Sequence, residues 1–561
     1  MIFNILLNFG INFFKYSALY LYFFLAGKSL LLIINKLMLD NKKLPTIVLN
    51  LNSQIIYPII GIFFSANILV LLNFFIELKN IWTFIVLGLL LLPNFYDFDL
   101  KVLSNIKLVN LFYYVVIPSI LLISVSDITF NYDAGYYHLL HQNWLRESNL
   151  IFGMVNIFWP FGMSSIYEYL SAVLWVDKSF VLLHFLNLIF IHFFYLFISE
   201  NIFFPKFKHV KLISYLILIF SLLDNFGIQG GRNGFLYIQG VTKQDTSVAV
   251  LIVFVSLSIF NNLKIKKIVR LDLIILSLLI LFLFQIKVSS VIIIYLYSMF
   301  LYSLIKEKHF TLSSASFLHL PAIFFGVISI IKSYFTTGCL IFPLNLTCKN
   351  TFDWYIDGST IAYEGITKSA SLAFNNGTNL IDWLQEVGPF ENNRTVLINF
   401  VFSFIFILVF SKIYLEKDSS KKSFKYIAFS YVFIYIIYLI YFGPIPRYYM
   451  GLAITIIGLV GYFFDGSKVT LSKILNYGLI FASVFLIVRL SSYIAFFSND
   501  NLLLFDPRES KEINLEIGFK QINENWVIPK EGDQCWANLE CSMAKANIKI
   551  VKGGHFQVAY K

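Results

Sequence analysis

Residues 127–147 read Asp-Ile-Thr-Phe-Asn-Tyr-Asp-Ala-Gly-Tyr-Tyr-His-Leu-Leu-His-Gln-Asn-Trp-Leu-Arg-Glu, directly after the apolar run 106–126. Ionisable groups packed this densely at a membrane edge are costly to place and mark function. Asp133 is the first candidate catalytic residue. A carboxylate at the outer end of a span can act as general base and take the proton of an incoming hydroxyl. Asp127 is the second candidate, although Asp127 with Thr129 also fits ordinary helix-end chemistry. Tyr137 and His138 stand beside Asp133. His141 follows His138 at i+3, so on a helix the two imidazoles share a face. With a carboxylate they could ligate a metal. Hydrogen-bonded interface histidines are the simpler reading, so no obligatory metal and no other cofactor is expected.

A cationic set accompanies the carboxylates. Lys243 lies in Val-Thr-Lys-Gln-Asp-Thr, and Lys287 stands between two apolar runs with almost no turn to solvate it. Arg447, in Gly-Pro-Ile-Pro-Arg-Tyr-Tyr, is set at the entry of a span by two prolines. Cations so placed can hold a lipid phosphate or pyrophosphate, arginine through a bidentate fork. They would stabilise the charge that develops on a phosphate leaving group. Snorkelling to headgroups is the alternative, and it suits Arg232 best. Trp144, Trp159, Trp354, Trp383 and Tyr448-Tyr449 could stack on sugars, but each also suits the interfacial aromatic belt.

The elements that must position these groups are membrane spans. The chain has 561 residues, 58% hydrophobic and only 13% charged, where soluble domains carry about 25% charged residues. Mean hydropathy is +0.75. The composition implies an all-α polytopic membrane protein. Apolar runs near 13–35, 54–76, 81–96, 108–126, 179–200, 210–224, 247–262, 271–286, 288–305, 314–333, 396–413, 425–442, 446–464 and 474–496 predict about fourteen crossings. Trp159–Val176 is also apolar, but a crossing there would put every later basic loop on the wrong side. It is therefore read as an interfacial or re-entrant helix. The opening residues, MIFNILLNFGINFF, lack a basic n-region, so no removable signal peptide is expected.

Basic connections such as Lys206–Lys211, Lys264–Arg270 and Lys412–Lys425 alternate with connections poor in Lys and Arg, which puts the basic set in the cytoplasm. The net charge of +11 is read the same way rather than as affinity for nucleic acid. Both termini then lie outside, and the polar motifs gather on the outer face. The expected organisation is 1–126 N-terminal helices, 127–178 first outer loop, 179–333 central helices, 334–395 large outer loop, 396–496 C-terminal helices and 497–561 outer tail. The tail carries strand-like runs, Asn547–Val551 and His555–Ala559. Loop and tail are each too small for a core of their own, so both should dock on the membrane part. The four cysteines form two close pairs, Cys339/Cys348 and Cys535/Cys541, without CxxC. Two disulfides on an oxidising face fit better than a zinc site. Walker A, GxSxG and HExxH motifs are missing from the sequence, so nucleotide hydrolysis and serine or zinc peptidase chemistry have no support. The heavy use of Phe, Ile, Asn and Lys suggests an AT-rich bacterial genome.

Asp133-Ala-Gly-Tyr-Tyr-His, then Trp144 and Gly153-Met-Val-Asn-Ile-Phe-Trp-Pro-Phe-Gly-Met-Ser-Ser, resembles the first outer loop of bacterial GT-C-type membrane proteins, relatives of dolichyl-phosphate-mannose protein mannosyltransferases. The likeness continues in Lys243-Gln-Asp, Lys287-Val-Ser-Ser, Thr337-Gly-Cys-Leu-Ile-Phe-Pro, Asp353-Trp354 and Gly532-Asp-Gln-Cys-Trp. It implies a many-span fold, a polyprenyl-phosphate sugar donor and an acidic catalytic residue in the first outer loop. Asp133 would take that role and Arg447 would contact the lipid phosphate. The familiar arrangement has one span before this loop, where four are read here. The expected activity is glycosyl transfer to a glycan, lipid or protein acceptor at the outer face of a bacterial inner membrane. Rival readings are an O-antigen-type polymerase, which would want arginines in its large loop, and a flippase of lipid-linked sugar, which would want charges at mid-span.

Overall fold

The computed structural model describes residues 2–40, 43–97, 108–125, 130, 132–175, 180–224, 226–227, 244–265, 268–369, 422–442, 446–463, 469–499, 518–543, 548–553 and 556–560. The helices are α1 (Ile2–Leu39), α2 (Tyr57–Asn73), α3 (Ile81–Leu89), α4 (Leu108–Leu111), α5 (Ile117–Val125), α6 (Leu139–Glu147), α7 (Ile166–Val173), α8 (Val181–Phe203) and α9 (Lys208–Asp224). They continue with α10 (Asp245–Ile265), α11 (Arg270–Ile286), α12 (Ile292–Lys306), α13 (Leu312–Leu318), α14 (Leu320–Thr337), α15 (Ser359–Ser369), α16 (Lys422–Phe442), α17 (Pro446–Phe463) and α18 (Val469–Asn499). Each expected span except 396–413 coincides with helix; 396–413 lies outside the described residues.

Helix is what these runs must form, because only intra-segment hydrogen bonds satisfy a backbone in hydrocarbon. Their outer faces agree. On α14, Leu320, Ile323, Phe324, Val327, Ile330 and Ile331 are exposed, and on α18 so are Tyr477, Ile480, Phe481, Val484, Ile487 and Val488. Both sets step by three and four residues, which makes one apolar stripe per helix facing away from the protein. Inside, α8, α10 and α11 are buried along nearly their whole length.

Five helices among the described residues are long and apolar enough to cross a bilayer, fewer than the fourteen or so crossings expected from the apolar runs. The shortfall has a local cause. Several runs are broken: 108–125 by a π turn at Phe112–Val116, and 81–97 by a 3-10 stretch at Leu92–Asp97. Others stop as helices of 10–17 residues, such as Tyr57–Asn73. The segment 159–175 holds only a 3-10 turn and the 8-residue α7, roughly 12 Å of helix against a core of about 30 Å.

The α1–α2 pair shows how tightly these helices close. A Cβ on Gly27 would stand 1.9 Å from the Tyr57 carbonyl oxygen, and one on Gly61 1.8 Å from that of Phe23. The two backbones touch, which only small residues permit. Gly61→Ala is expected to lower the unfolding free energy by about 1–3 kcal/mol through overpacking. Thermal unfolding in detergent reads it; an unchanged midpoint would refute the close approach.

Beyond the helices, β3 (Ile151–Phe152) pairs in parallel with β7 (Phe556–Tyr560), which is antiparallel to β6 (Lys549–Gly553). The tail thus completes a sheet begun in the first loop. Strands β1 (Ile47–Val48) and β2 (Leu51–Asn52) form a small hairpin, as do β4 (Phe519–Gln521) and β5 (Val527–Pro529). The loop after α14 docks on the same unit. Gly153 N–H donates to Phe335 O (3.0 Å), and Asn156 Nδ2 donates both to Trp354 O and to Ala559 O (2.9 Å each). Cys339–Cys348 and Cys535–Cys541 are disulfides.

Candidate functional site

Glu168 is the hub of the site, and its side chain is only 3% exposed. It sits on α7, which Ser165 starts by accepting from the Tyr167 N–H (3.1 Å). Three donors converge on its carboxylate: His138 Nδ1, Gln142 Nε2 at 2.6 Å and Gln244 Nε2 at 3.0 Å. His138 and Gln142 are four residues apart and therefore share a helix face. Gln244 comes from the start of α10. Gln142 is itself oriented by Trp175, whose Nε1 donates to its Oε1 (2.9 Å). One carboxylate thus fastens α6, α7 and α10 together.

Asp133 precedes a π segment, Ala134–His138, that leads into α6. Such bulges re-aim side chains and recur at functional sites. Glycine is required at 135, because a Cβ there would come within 2.8 Å of the Trp536 ring. Tyr137 links the parts of the cluster. Burial pushes its hydroxyl well above its usual range, and Asp133, Glu168, Tyr448 and Asp245 push it further in that order. It therefore stays neutral among three carboxylates. Asp245, 2% exposed, forms an ion pair with Lys287, which caps the C-terminus of α11. The Lys287 ammonium also lies 4.2 Å from the centre of the Tyr448 ring on α17, a cation–π geometry.

The residues singled out from sequence divide as follows. Asp133, Tyr137, His138 and Lys287 gather around Glu168 and Asp245. Asp127 and Lys243 lie outside the described residues, as do the side chain of Arg447, Arg232 and the stretch with Trp383. The backbone of Arg447 is in the first turn of α17, one residue before Tyr448. His141 goes elsewhere than His138: it is buried and stacks on Phe161, centroids 5.1 Å apart. Arg146 donates to the carbonyls of Ala172 (2.7 Å) and Trp175 (3.3 Å), so it closes the end of α7. Sequence reasoning missed Glu168 and Gln142, and it noted Asp245 only as part of the Lys243-Gln-Asp motif. The signal for Glu168 was there: a lone carboxylate inside the apolar run 159–176.

His141 carries a pH prediction. Burial holds its imidazole well below the usual range, helped by Lys332 and then His138. Folded, it stays neutral; unfolded, it takes a proton near pH 6.5. Below that pH the unfolded state binds more protons, so stability should fall as pH falls, by up to about 1.4 kcal/mol per unit until the folded pKa is reached. His141→Phe should flatten that slope relative to wild type in thermal unfolding between pH 7.5 and 5. Parallel curves would contradict it.

The tail roofs the cluster. Trp536 N–H donates to Gly135 O (2.8 Å), Gln534 Nε2 to Tyr132 O (3.1 Å) and Ser542 Oγ to Ile157 O (2.9 Å). Asn143 Nδ2 returns a bond to Ala537 O (2.8 Å), and Tyr132 OH donates to Asp533. The disulfide Cys535–Cys541 is buried in a small core with Leu140, Ile151, Phe158 and Phe161. The arrangement offers carboxylates for proton removal, a cation for a phosphate and a cover that limits water.

Residues 11–454 match a family described as a domain of unknown function, DUF8201. No curated protein and no solved structure matches the chain.

Proposed function

The chain belongs to the family of the domain of unknown function DUF8201, and from that premise we propose that it is a membrane glycosyltransferase that moves a sugar from a polyprenyl-phosphate donor to an envelope acceptor. The reading rests on one observation. Asp133, Tyr137 and His138 of the first loop and the distant Lys287, all singled out from the sequence, share one cluster, whose first-loop part the tail covers. The likeness of the 133–165 motifs to GT-C-type loops supports it.

In this mechanism Asp133, at the edge of the cluster, takes the acceptor hydroxyl proton as the glycosidic bond forms and the bond to the lipid phosphate breaks. Lys287 and Arg447, with Lys243, stabilise the phosphate as it leaves. Glu168 positions His138, and through it the π segment that carries Asp133. The proposal takes the apolar segments as some fourteen crossings, with the cluster and both termini on the outer face of a bacterial inner membrane.

The test is transfer of radiolabelled sugar from a synthetic polyprenyl-phosphate donor by the purified protein in liposomes. Wild type should label an envelope extract, and Asp133→Asn, inserted and folded normally, should lose about two to four orders of magnitude. Wild-type rates in Asp133→Asn would sink the assignment of the base, and no transfer by wild type with any lipid-phosphate sugar would sink the reaction.

A further inference from the structure

The helices that carry the site also build a second feature at their other ends. α10 runs from Asp245 to Asn261 and beyond, roughly 24 Å of helix; α8 reaches Asn201, and α17 passes from Tyr448 to Tyr462. Here they border a narrow, open recess lined in part by Asn50, Asn201, Lys206, Ser214, Asn261 and Tyr462.

Three observations show that this recess is built. Leu49 and Asn50, in the β1–β2 turn on its wall, both take left-handed backbone conformations (φ 51° and 64°). A leucine there is strained and persists only where its surroundings hold it. Asp272 does so, accepting from Leu49 N–H at 2.7 Å. Next, the lining presents an amide donor at Asn261, while Asn50 Nδ2 donates to Asn262 Oδ1 (3.3 Å) and Asn201 Nδ2 to Phe197 O (2.9 Å). The Oδ1 of buried Asn261 is taken by His209 Nε2 (3.1 Å), which leaves its Nδ2 without a partner among the described residues. Lys206 stands at the mouth, and Lys264 lies over the Tyr462 ring (5.6 Å) and donates to Tyr462 O (3.1 Å). Finally, the nearby carboxylates Glu200 and Asp272 act on Lys206 through their charge, while their hydrogen bonds come from other donors. Asp272 also accepts from Val269 N–H (3.3 Å), and Glu200 from Tyr113 OH (3.1 Å).

We propose that this recess binds a phosphate group, carried by an anionic phospholipid headgroup or by a soluble phosphate compound. An amide donor and an ammonium group in a cleft between helices, with Lys264 against the lining residue Tyr462, are the chemistry that takes such a group. The site is separate from the Glu168 cluster and does not depend on the reaction assigned there.

Native mass spectrometry of the full-length protein in neutral detergent tests it, with phosphatidylglycerol and phosphatidylcholine as probes. Phosphatidylglycerol should be retained over phosphatidylcholine, and Lys206→Gln should weaken that retention about five-fold, the worth of one lysine near a lipid phosphate. Ser214→Leu, which fills the recess, should do the same without touching a charge. Unaltered thermal midpoints show that both variants fold; if either is unstable, the other carries the test. Displacement of the lipid by millimolar inorganic phosphate would support the site with a soluble phosphate as its ligand, and lack of displacement would support a lipid. Equal retention of the two lipids, or wild-type retention in the folded variants, would overturn the proposal.

Discussion

Glu168→Ala is expected to lower the unfolding free energy by about 3 kcal/mol or more, among the largest effects available outside the helix cores. The reason is arithmetic of donors. His138, Gln142 and Gln244 all direct polar hydrogens at one carboxylate that is 3% exposed. Each buried donor left unsatisfied costs about 1–3 kcal/mol. Glu168→Gln keeps the shape and one acceptor oxygen but turns an N–H₂ toward other donors, so it should fall between wild type and alanine. Under the proposed function, Glu168→Gln should also slow transfer while leaving donor binding near wild type, because it misplaces the π segment rather than removing a phosphate contact. Thermal unfolding in detergent reads the first effect and a split of kcat from KM the second. An alanine variant as stable as wild type would show that Glu168 does not hold α6, α7 and α10 together.

The second large effect concerns Lys287 and Asp245. Asp245 is 2% exposed and its ion-pair partner is 23% exposed. Removing the cation by Lys287→Met strips charge compensation from a buried carboxylate, a loss of about 3–5 kcal/mol. The double variant Lys287→Met/Asp245→Leu should recover most of it, because two apolar side chains tolerate the same site. The double-mutant cycle isolates that coupling. It also separates two roles for Lys287. If the lysine only neutralises Asp245, the restored double variant should transfer sugar. If it holds a phosphate, that variant should be stable and inactive.

Much of the architecture was readable from local signals. Apolar runs marked the helices because a 3.6-residue period and length need no knowledge of neighbours. Where each helix would stop was less legible: the π turn at 112–116 falls just before Pro118, whose missing N–H cannot bond the Tyr114 carbonyl, a signal that hydropathy alone passes over. Close cysteine pairs marked the disulfides, and the tail hairpin was visible as two runs around a Gly-Gly step. The hub of the site was not. Glu168 lay in a segment read only for its hydropathy, and its partners Gln142 and Gln244, although inside polar stretches already singled out, are uncharged and drew no role of their own. The strand Ile151–Phe152 is two residues long and gains its partner only from distant chain; nothing local encodes that pairing.

That pairing has a consequence for how the protein comes into being. Asn156 and the Ala559 carbonyl it binds are separated by 403 residues. At ordinary rates of synthesis the ribosome needs roughly 20–80 s to traverse that distance. Throughout that interval the first loop is translated but its sheet has no partner strand and its polar cluster no roof. The nascent protein must therefore pass through a long-lived, water-open stage, during which proteases and chaperones meet residues that the finished molecule conceals. Any reaction at this cluster begins only when translation has reached the hairpin at 549–560.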